Sequence, residues 1–470
     1  MPHPRRAGRR RHGRPDRERR PAGALDSIVG LIMTRLAPED FTYWFVRRAF
    51  RWSVVLQVLW RFDRPPSHDA LMAVNARLAA SPLNRRLITS PFPFSRPRWV
   101  HSEMEPDLLL DETTVESDAV ERWAAREMYS APLDPENGTS WRLRGAPTVD
   151  GGFVLSLTTL HLVADGKATV SAAADALGGR GADALSVRPQ AHAGAADAGD
   201  SIRQIVAAAH GVVRATISTM RRDSTPPPPM RAPRPPMNVR APAAAGPWAI
   251  VSVDVDVWRK VAEEHGGTSN SLFVAVISGL LRTSGYAPLG EPIKVGVPVS
   301  SRTADDEGGN ATAGVSVYLI DEPAAGGDLG PIRRKCKAAF TALAAGRRPA
   351  MIHLLPLMWL LPTSLIVKAV SSGSGMPDAV ASNLGAFTPE LSELGGVPAS
   401  GVAFRGIAQG VDPSQPYRFG EGVQSWLLEV GDQLTFSVAA FDESRFGDRP
   451  ELHRLLTAEL AAWGLPHRIW

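Results

Sequence analysis

The chain has 470 residues, 44% of them hydrophobic and 21% charged, an ordinary balance for a folded soluble protein that excludes wholesale disorder and a multi-span membrane protein. A single cysteine, Cys336, excludes an intrachain disulfide framework and a thiolate zinc cluster, and so sets the expectation of a cytoplasmic protein. The formal net charge of +4 is uneven: residues 1–20 hold nine arginines against Asp16 and Glu18, a local +7, which leaves the remaining 450 residues at −3. That block lacks the apolar core of a secretory signal and reads as a disordered basic tail over residues 1–32. Met33 is a candidate start that an N-terminal mass measurement would decide. With no interleaved aromatics and no nucleic-acid motif after it, the tail gives no expectation of nucleic-acid binding, and contact with anionic lipid is the other reading it leaves.

The first informative element follows Gly151-Gly152. Phe153, Leu155 and Leu157 alternate there with Val154, Ser156 and Thr158, which predicts a largely buried strand. His161 falls at or just past its end, and the run from His161 to Gly166 reads H-x-x-x-D-G. A neutral imidazole, with an ordinary pKa of about 6.5, takes up a proton at physiological pH, and a placed general base contributes roughly 100- to 10,000-fold. Gly166 permits a positive φ or a close backbone approach, so Asp165 is expected to turn from His161 and anchor the loop. The competing reading is a surface turn with an incidental histidine.

Residues 178–200, rich in Ala and Gly, read as a connector, and 201–220 as a helix. Prolines from Pro226 to Pro242 then predict an extended strap between domains, with recognition by an SH3-type domain as the alternative. A strand is expected over 250–255, a helix over 257–265 capped by Asp256, and another from Thr268 or Ser269 to about 283. Strands near 293–299 and 314–320 and a helix over 328–345 precede an apolar stretch, 351–367. Its 17 residues approach the minimum for a membrane span, but His353, Pro356, Pro362 and Lys368 favour a buried or groove-lining helix pair, with membrane-surface contact as the alternative. Gly431-Asp432 marks a hairpin, and a helix over 449–463 closes the chain. The chain thus divides into residues 33–177 carrying the motif, a linker region over 178–247 and a second half over 248–470.

The histidine stretch resembles the H-H-x-x-x-D-G motif of the CoA-dependent acyltransferase superfamily, which contains wax ester synthase/diacylglycerol acyltransferases, polyketide-associated acyltransferases, peptide-synthetase condensation domains and chloramphenicol acetyltransferase. Other segments resemble that family in the same order. Leu36-Ala37-Pro38-Glu39-Asp40, followed by aromatics from Phe41 to Phe45, is similar to its Leu-Ser-Pro-x-Asp opening. Ala131-Pro132-Leu133-Asp134 with Trp141 is similar to the stretch ahead of the motif strand, and Thr268-Ser269-Asn270-Ser271 to its Thr-x-Asn-Asp segment. Val297-Pro298-Val299-Ser300-Ser301-Arg302 with Gly309-Asn310, and Ser382-Asn383-Leu384-Gly385, complete the series over roughly residues 36–463. Departures are Leu160 in place of the first histidine, Ser271 in place of Asp, and a missing proline after Leu384.

The resemblance implies an α/β fold: two chloramphenicol-acetyltransferase-like sandwich subdomains forming a V-shaped pseudo-dimer with a central tunnel, His161 at its centre and Ser382-Asn383 reaching in from the second half. It implies His161 as catalytic base, with Asp165 in the motif and Gly166, Ser300, Ser382 and Asn383 at the substrate. A buried Asp165 would need a cationic partner, for which Arg85, Arg86 and Arg302 are the candidates. No bound cofactor or metal is expected. The implied co-substrate is an acyl-CoA or acyl-carrier-protein thioester and the acceptor an alcohol or amine, at a cytoplasmic site with peripheral contact to the inner membrane surface as an added option. O-acyl transfer is the leading expectation; N-acylation of the condensation type and a degenerate lipid- or carrier-binding module are the alternatives.

Overall fold

The computed structural model describes residues 35–180, 193–220, 246–302, 309–320, 324–346, 353–371, 376–412 and 422–470. The basic tail and the proline strap lie outside these residues. A one-turn helix at Pro38–Asp40, closed by the Asp40 carboxylate accepting the Ala37 N–H at 2.8 Å, leads into α1 (Phe41–Phe50). There follow β1 (Ser53–Phe62), α2 (His68–Ala80), the β2–β3 hairpin (Arg85–Ile88 and Arg98–His101), β4 (Leu109–Leu110), α3 (Val120–Ser130), β5 (Trp141–Pro147), β6 (Phe153–Leu160) and α4 (Gly166–Leu177). After α5 (Ala193–Met220) the second half begins with β7 (Trp248–Asp254), α6 (Val255–Glu264), α7 (Ser269–Thr283), β8 (Ile293–Ser300), β9 (Thr312–Leu319) and α8 (Gly330–Ala344). It continues with α9 (Leu355–Met358), α10 (Thr363–Ser371), β10 (Ala379–Phe387), β11 (Glu393–Leu394), β12 (Val397–Gln409), β13 (Val423–Val430), β14 (Gln433–Ala440), α11 (Glu443–Phe446), α12 (Arg449–Ala462) and β15 (Arg468–Ile469).

Two large sheets result, a six-stranded one in the order β11-β12-β1-β6-β5-β4 and a seven-stranded one in the order β15-β7-β14-β13-β10-β8-β9. The largely buried strand expected at 153–158 is β6, and it is buried on both faces, so its polar positions need partners. They have them: Ser156 accepts from the Gln57 amide at 2.7 Å and Thr159 donates to the Ser140 carbonyl at 3.2 Å.

The boundary drawn at residue 248 does not partition the sheets. β12, from the second half, pairs antiparallel with β1 along its length, Val58 opposite Phe404, and becomes part of the motif-bearing sheet. Hydroxyls of Thr435 and Ser437 on β14 donate to the carbonyls of Val402 and Phe404, so β12 also ties the two sheets together. At this seam the buried Arg405 guanidinium donates to Gln57 at 2.8 Å and lies over the Trp248 ring, 4.9 Å from its centroid.

Three other expectations shift. The helix expected at 201–220 starts at Ala193, and its start is anchored on the first half, with Asp197 and Asp200 buried against Arg35 and Arg96, whereas its later part packs on α9. α6 starts at Val255 with Asp254 as its cap, two residues ahead of the expected Asp256, because β7 ends its pairing with β14 at Asp254. The apolar stretch is broken into α9 and α10, half-exposed over most of its length, and among the described residues no helix is long and apolar enough to cross a membrane. The Thr268 cap, reciprocated by Ser271, and the Gly431-Asp432 hairpin stand where the sequence puts them.

Candidate active site

β6 delivers His161 one residue past its end, where the His161 N–H still bonds the Val54 carbonyl at 2.9 Å. The chain then turns in a short loop and enters α4 at Gly166. Asp165 caps that helix, its carboxylate accepting the Ala168 N–H at 2.8 Å. Gly166 is needed for close approach and not for a positive φ: a Cβ there would come within 2.9 Å of Leu384 and 3.1 Å of Phe404.

Both imidazole nitrogens are engaged. Nδ1 lies 3.2 Å from Asn310 Oδ1, and Nε2 lies 2.9 Å from the Tyr43 hydroxyl, whose ring stacks on the imidazole at 3.9 Å. The Asn310 amide orientation follows from its other contacts, since its Nδ2 donates to Asp40 Oδ1 at 2.8 Å and to the His161 carbonyl at 2.9 Å. Its oxygen therefore faces the ring, Nδ1 carries the proton, and the Nε2 lone pair accepts from Tyr43. Burial holds the imidazole below its ordinary value, against the opposing pull of Asp165 and Asn310, which keeps the ring neutral at pH 7. Burial likewise pushes Asp40 up to about 6, despite the nearby Arg85 cation, and the Tyr43 phenol is raised by burial and by the Asp165 and Asp40 charges, so it remains a donor.

Asp165 points away from the imidazole. Its second oxygen accepts from the Ala311 N–H at 2.9 Å, the Thr312 hydroxyl at 3.0 Å and Arg302 at 3.2 Å. Burial would raise this carboxyl, but the Ala311 and Ala168 N–H groups and Arg302 outweigh it and hold the pKa low. Of the three arginines considered, Arg302 makes the ion pair. Arg85 is buried over the Trp99 ring at 4.7 Å, feels Asp40 and Asp165 through space and is drawn down to about 10 by burial. Arg86, contrary to expectation, is no partner of Asp165: on β2 its side chain faces the other way, is exposed, and donates to the Glu136 carbonyl at 2.8 Å.

A cavity of about 530 Å³ opens over this turn. His161, Asp165, Gly166, Ser300, Ser382 and Asn383 all line it, together with Tyr43 and an apolar wall that includes Val46, Leu56, Val297, Val380, Phe404 and Trp426. Asn383 accepts the Gly385 N–H through Oδ1 at 2.9 Å, so its NH₂ is the end available to a ligand. Both halves build the cavity: His161 follows directly on β6, whereas Ser300, Ser382 and Asn383 come from β8 and β10.

Asp40 and Asn310 stand within the motifs of the sequence and Tyr43 within its aromatic run, but no local pattern assigns any of them a role at the ring. The available signal was the Gly309-Asn310 pair. A Cβ at Gly309 would overlap Arg85 and the Val163 carbonyl, so that strand entry packs directly on the histidine turn, and the Gly309 carbonyl accepts the Asp165 N–H at 2.8 Å.

No family model and no curated protein matches the chain. Solved structures do. The wax ester synthase/diacylglycerol acyltransferase from Marinobacter aquaeolei VT8 is 19% identical with a TM-score of 0.56, covering 92% of this chain and 98% of that one. The first condensation domain of the CDA synthetase is 16% identical with a TM-score of 0.58, covering 91% and 96%. A variant of the starter condensation domain of rhizomide synthetase in complex with C8-CoA is 13% identical with a TM-score of 0.53, covering 94% and 97%. The chain has the two-subdomain α/β fold of these acyltransferase and condensation-domain structures.

Proposed function

We propose that this protein transfers an acyl group from a thioester, acyl-CoA or a carrier-protein acyl thioester, to a hydroxyl-bearing acceptor, with His161 Nε2 as the general base. One observation carries the reading: Asp40 and Asn310 fix a neutral imidazole with its lone pair at Nε2, on the wall of a cavity whose lining is mainly apolar. A cavity of this size suits a fatty acyl or similarly apolar chain. The acceptor would displace Tyr43 from Nε2 and give up its O–H proton as its oxygen attacks the thioester carbonyl carbon. The tetrahedral oxyanion collapses with cleavage of the C–S bond, and the departing sulfur recovers the proton from the imidazolium. A thiolate leaves readily, so the mechanism needs no acyl-enzyme; Cys336, buried and pushed up to about 11 by burial, is not poised as a nucleophile. Asn383, Ser382 and Ser300 are the donors proposed for the oxyanion, each worth about 3 kcal/mol in such a role.

The test uses octanoyl-CoA and palmitoyl-CoA with 1-decanol and follows thiol release and ester mass. Wild type should form ester, and His161→Ala should lose roughly 100- to 10,000-fold in rate while still binding the acyl-CoA. Equal thiol release from both proteins would turn the reading toward a non-catalytic binder.

A further inference from the structure

Helix α5 is built inside out. Gln204, Ala208, Gly211 and Ala215 form its buried stripe, whereas Ile202, Ile205, Val206, Val212, Val213 and Ile217 face outward, Ile202 with 64% and Val206 with 62% of its surface exposed. The small stripe has a cause, since a Cβ on Gly211 would overlap the His353 carbonyl: the helix lies directly on the backbone leading into α9. A water-facing helix ordinarily turns its aliphatic residues inward, and six turned outward together exceed scattered exposure.

Further apolar side chains are exposed nearby: α9 packs against α5, and Leu361 and Leu365 just after α9 are exposed too. At the other end the Ser201 hydroxyl donates to the Pro93 carbonyl at 2.6 Å and seats the loop that exposes Phe92 and Phe94. Phe94 has a φ of 65°, a left-handed conformation unfavourable for a bulky residue, adopted where its ring faces solvent.

The exposed charge on this face is cationic. On α5 itself the acids Asp197 and Asp200 are buried against Arg35 and Arg96, so the exposed charges are those of Arg203 and Arg214.

We propose that this face, centred on α5, seats the protein on an anionic lipid surface. Aliphatic residues between arginines, with aromatic side chains at a loop tip, match the boundary between headgroups and acyl chains, where arginines extend to phosphates and apolar side chains enter by roughly 5–10 Å. A protein partner fits less well, because protein interfaces carry about one hydrogen bond per 100–200 Å² and this face is aliphatic. Its position gives the contact a use: Phe41 and Trp44 of α1 meet Trp359 beside α9, whereas Thr42, Tyr43 and Val46 of the same helix line the cavity. A substrate dissolved in the bilayer would lie one helix away from His161. The surface stands independently of which group is transferred.

Flotation of the full chain with phosphatidylcholine vesicles, pure or with roughly a third phosphatidylglycerol, tests this. Wild type should float with the anionic vesicles, roughly tenfold more weakly with the neutral ones, and less in high salt. Ile205→Glu combined with Val213→Glu should reduce anionic-vesicle binding at least roughly tenfold, with the melting curve and thiol release from octanoyl-CoA unchanged. Should that variant fail to fold, an environment-sensitive dye on Val206→Cys, with Cys336 buried, should shift to the blue on anionic vesicles. The proposal is overturned if wild type does not float, if the double variant binds as wild type does, if the dye does not shift, or if the face mediates a dimer and no vesicle binding.

Discussion

At His161 the two nitrogens are held by residues far apart in sequence, Tyr43 by 118 positions and Asn310 by 149. Tyr43 donates to the lone pair and so favours the neutral ring. Removing that donor in Tyr43→Phe should raise the imidazole pKa, and the acid limb of the thiol-release rate should move up by roughly half a unit to one unit, as a hydrogen bond of about 1 kcal/mol implies. An unmoved limb would mean that Tyr43 does not act on Nε2. Asn310→Ala frees the tautomer; kcat should fall roughly 10- to 100-fold with KM for octanoyl-CoA little changed, and a KM effect alone would contradict a positioning role. His161 and Asp165 were legible because six consecutive residues hold them. Tyr43 and Asn310 were not, because no local spacing reveals which hydroxyl or amide will meet a ring from another element.

The strand-turn-helix unit of β6 and α4 rests on Asp165, which caps the helix and receives Ala311, Thr312 and Arg302 from the second half. Its carboxyl is held below the ordinary aspartate value of about 3.9, so the folded state binds fewer protons than the unfolded chain as the pH falls through that range. The stabilisation is therefore complete above about pH 5 and lost as pH drops through the folded value. Asp165→Ala should destabilise the protein by about 3 kcal/mol at pH 7, and the gap to wild type should narrow in acid. Urea melts at pH 7 and pH 3.5 check this, and a constant gap would refute the assignment. At this scale the sequence was read well where a cap or turn has a local signature, as at Thr268 and Gly431. It misplaced the start of α6, where Asp254 and Asp256 could both cap and only the end of the β7 pairing decides, and the start of α5, whose Ala-Gly opening is held by buried ion pairs with Arg35 and Arg96.

Over the whole molecule, β12 is the element that no local pattern could assign: its sequence is strand-like, but membership in the first sheet depends on β1 across more than three hundred residues. With β12 inserted in one sheet and bonded to β14 of the other, the halves should unfold together. Calorimetry should give a single transition with equal calorimetric and van't Hoff enthalpies, and two resolved transitions would contradict the shared architecture. The same insertion makes the site a joint construction, with His161 on one half and Asn310, Ser382 and Asn383 on the other. The general-base role of His161 is tested most sharply by the pH dependence of single-turnover thiol release from octanoyl-CoA with 1-decanol, in wild type and His161→Ala. The wild-type rate should rise with pH and reach its plateau through a limb below the ordinary imidazole value of about 6.5, with no counterpart in the variant. A variant that keeps the wild-type rate and profile would contradict it.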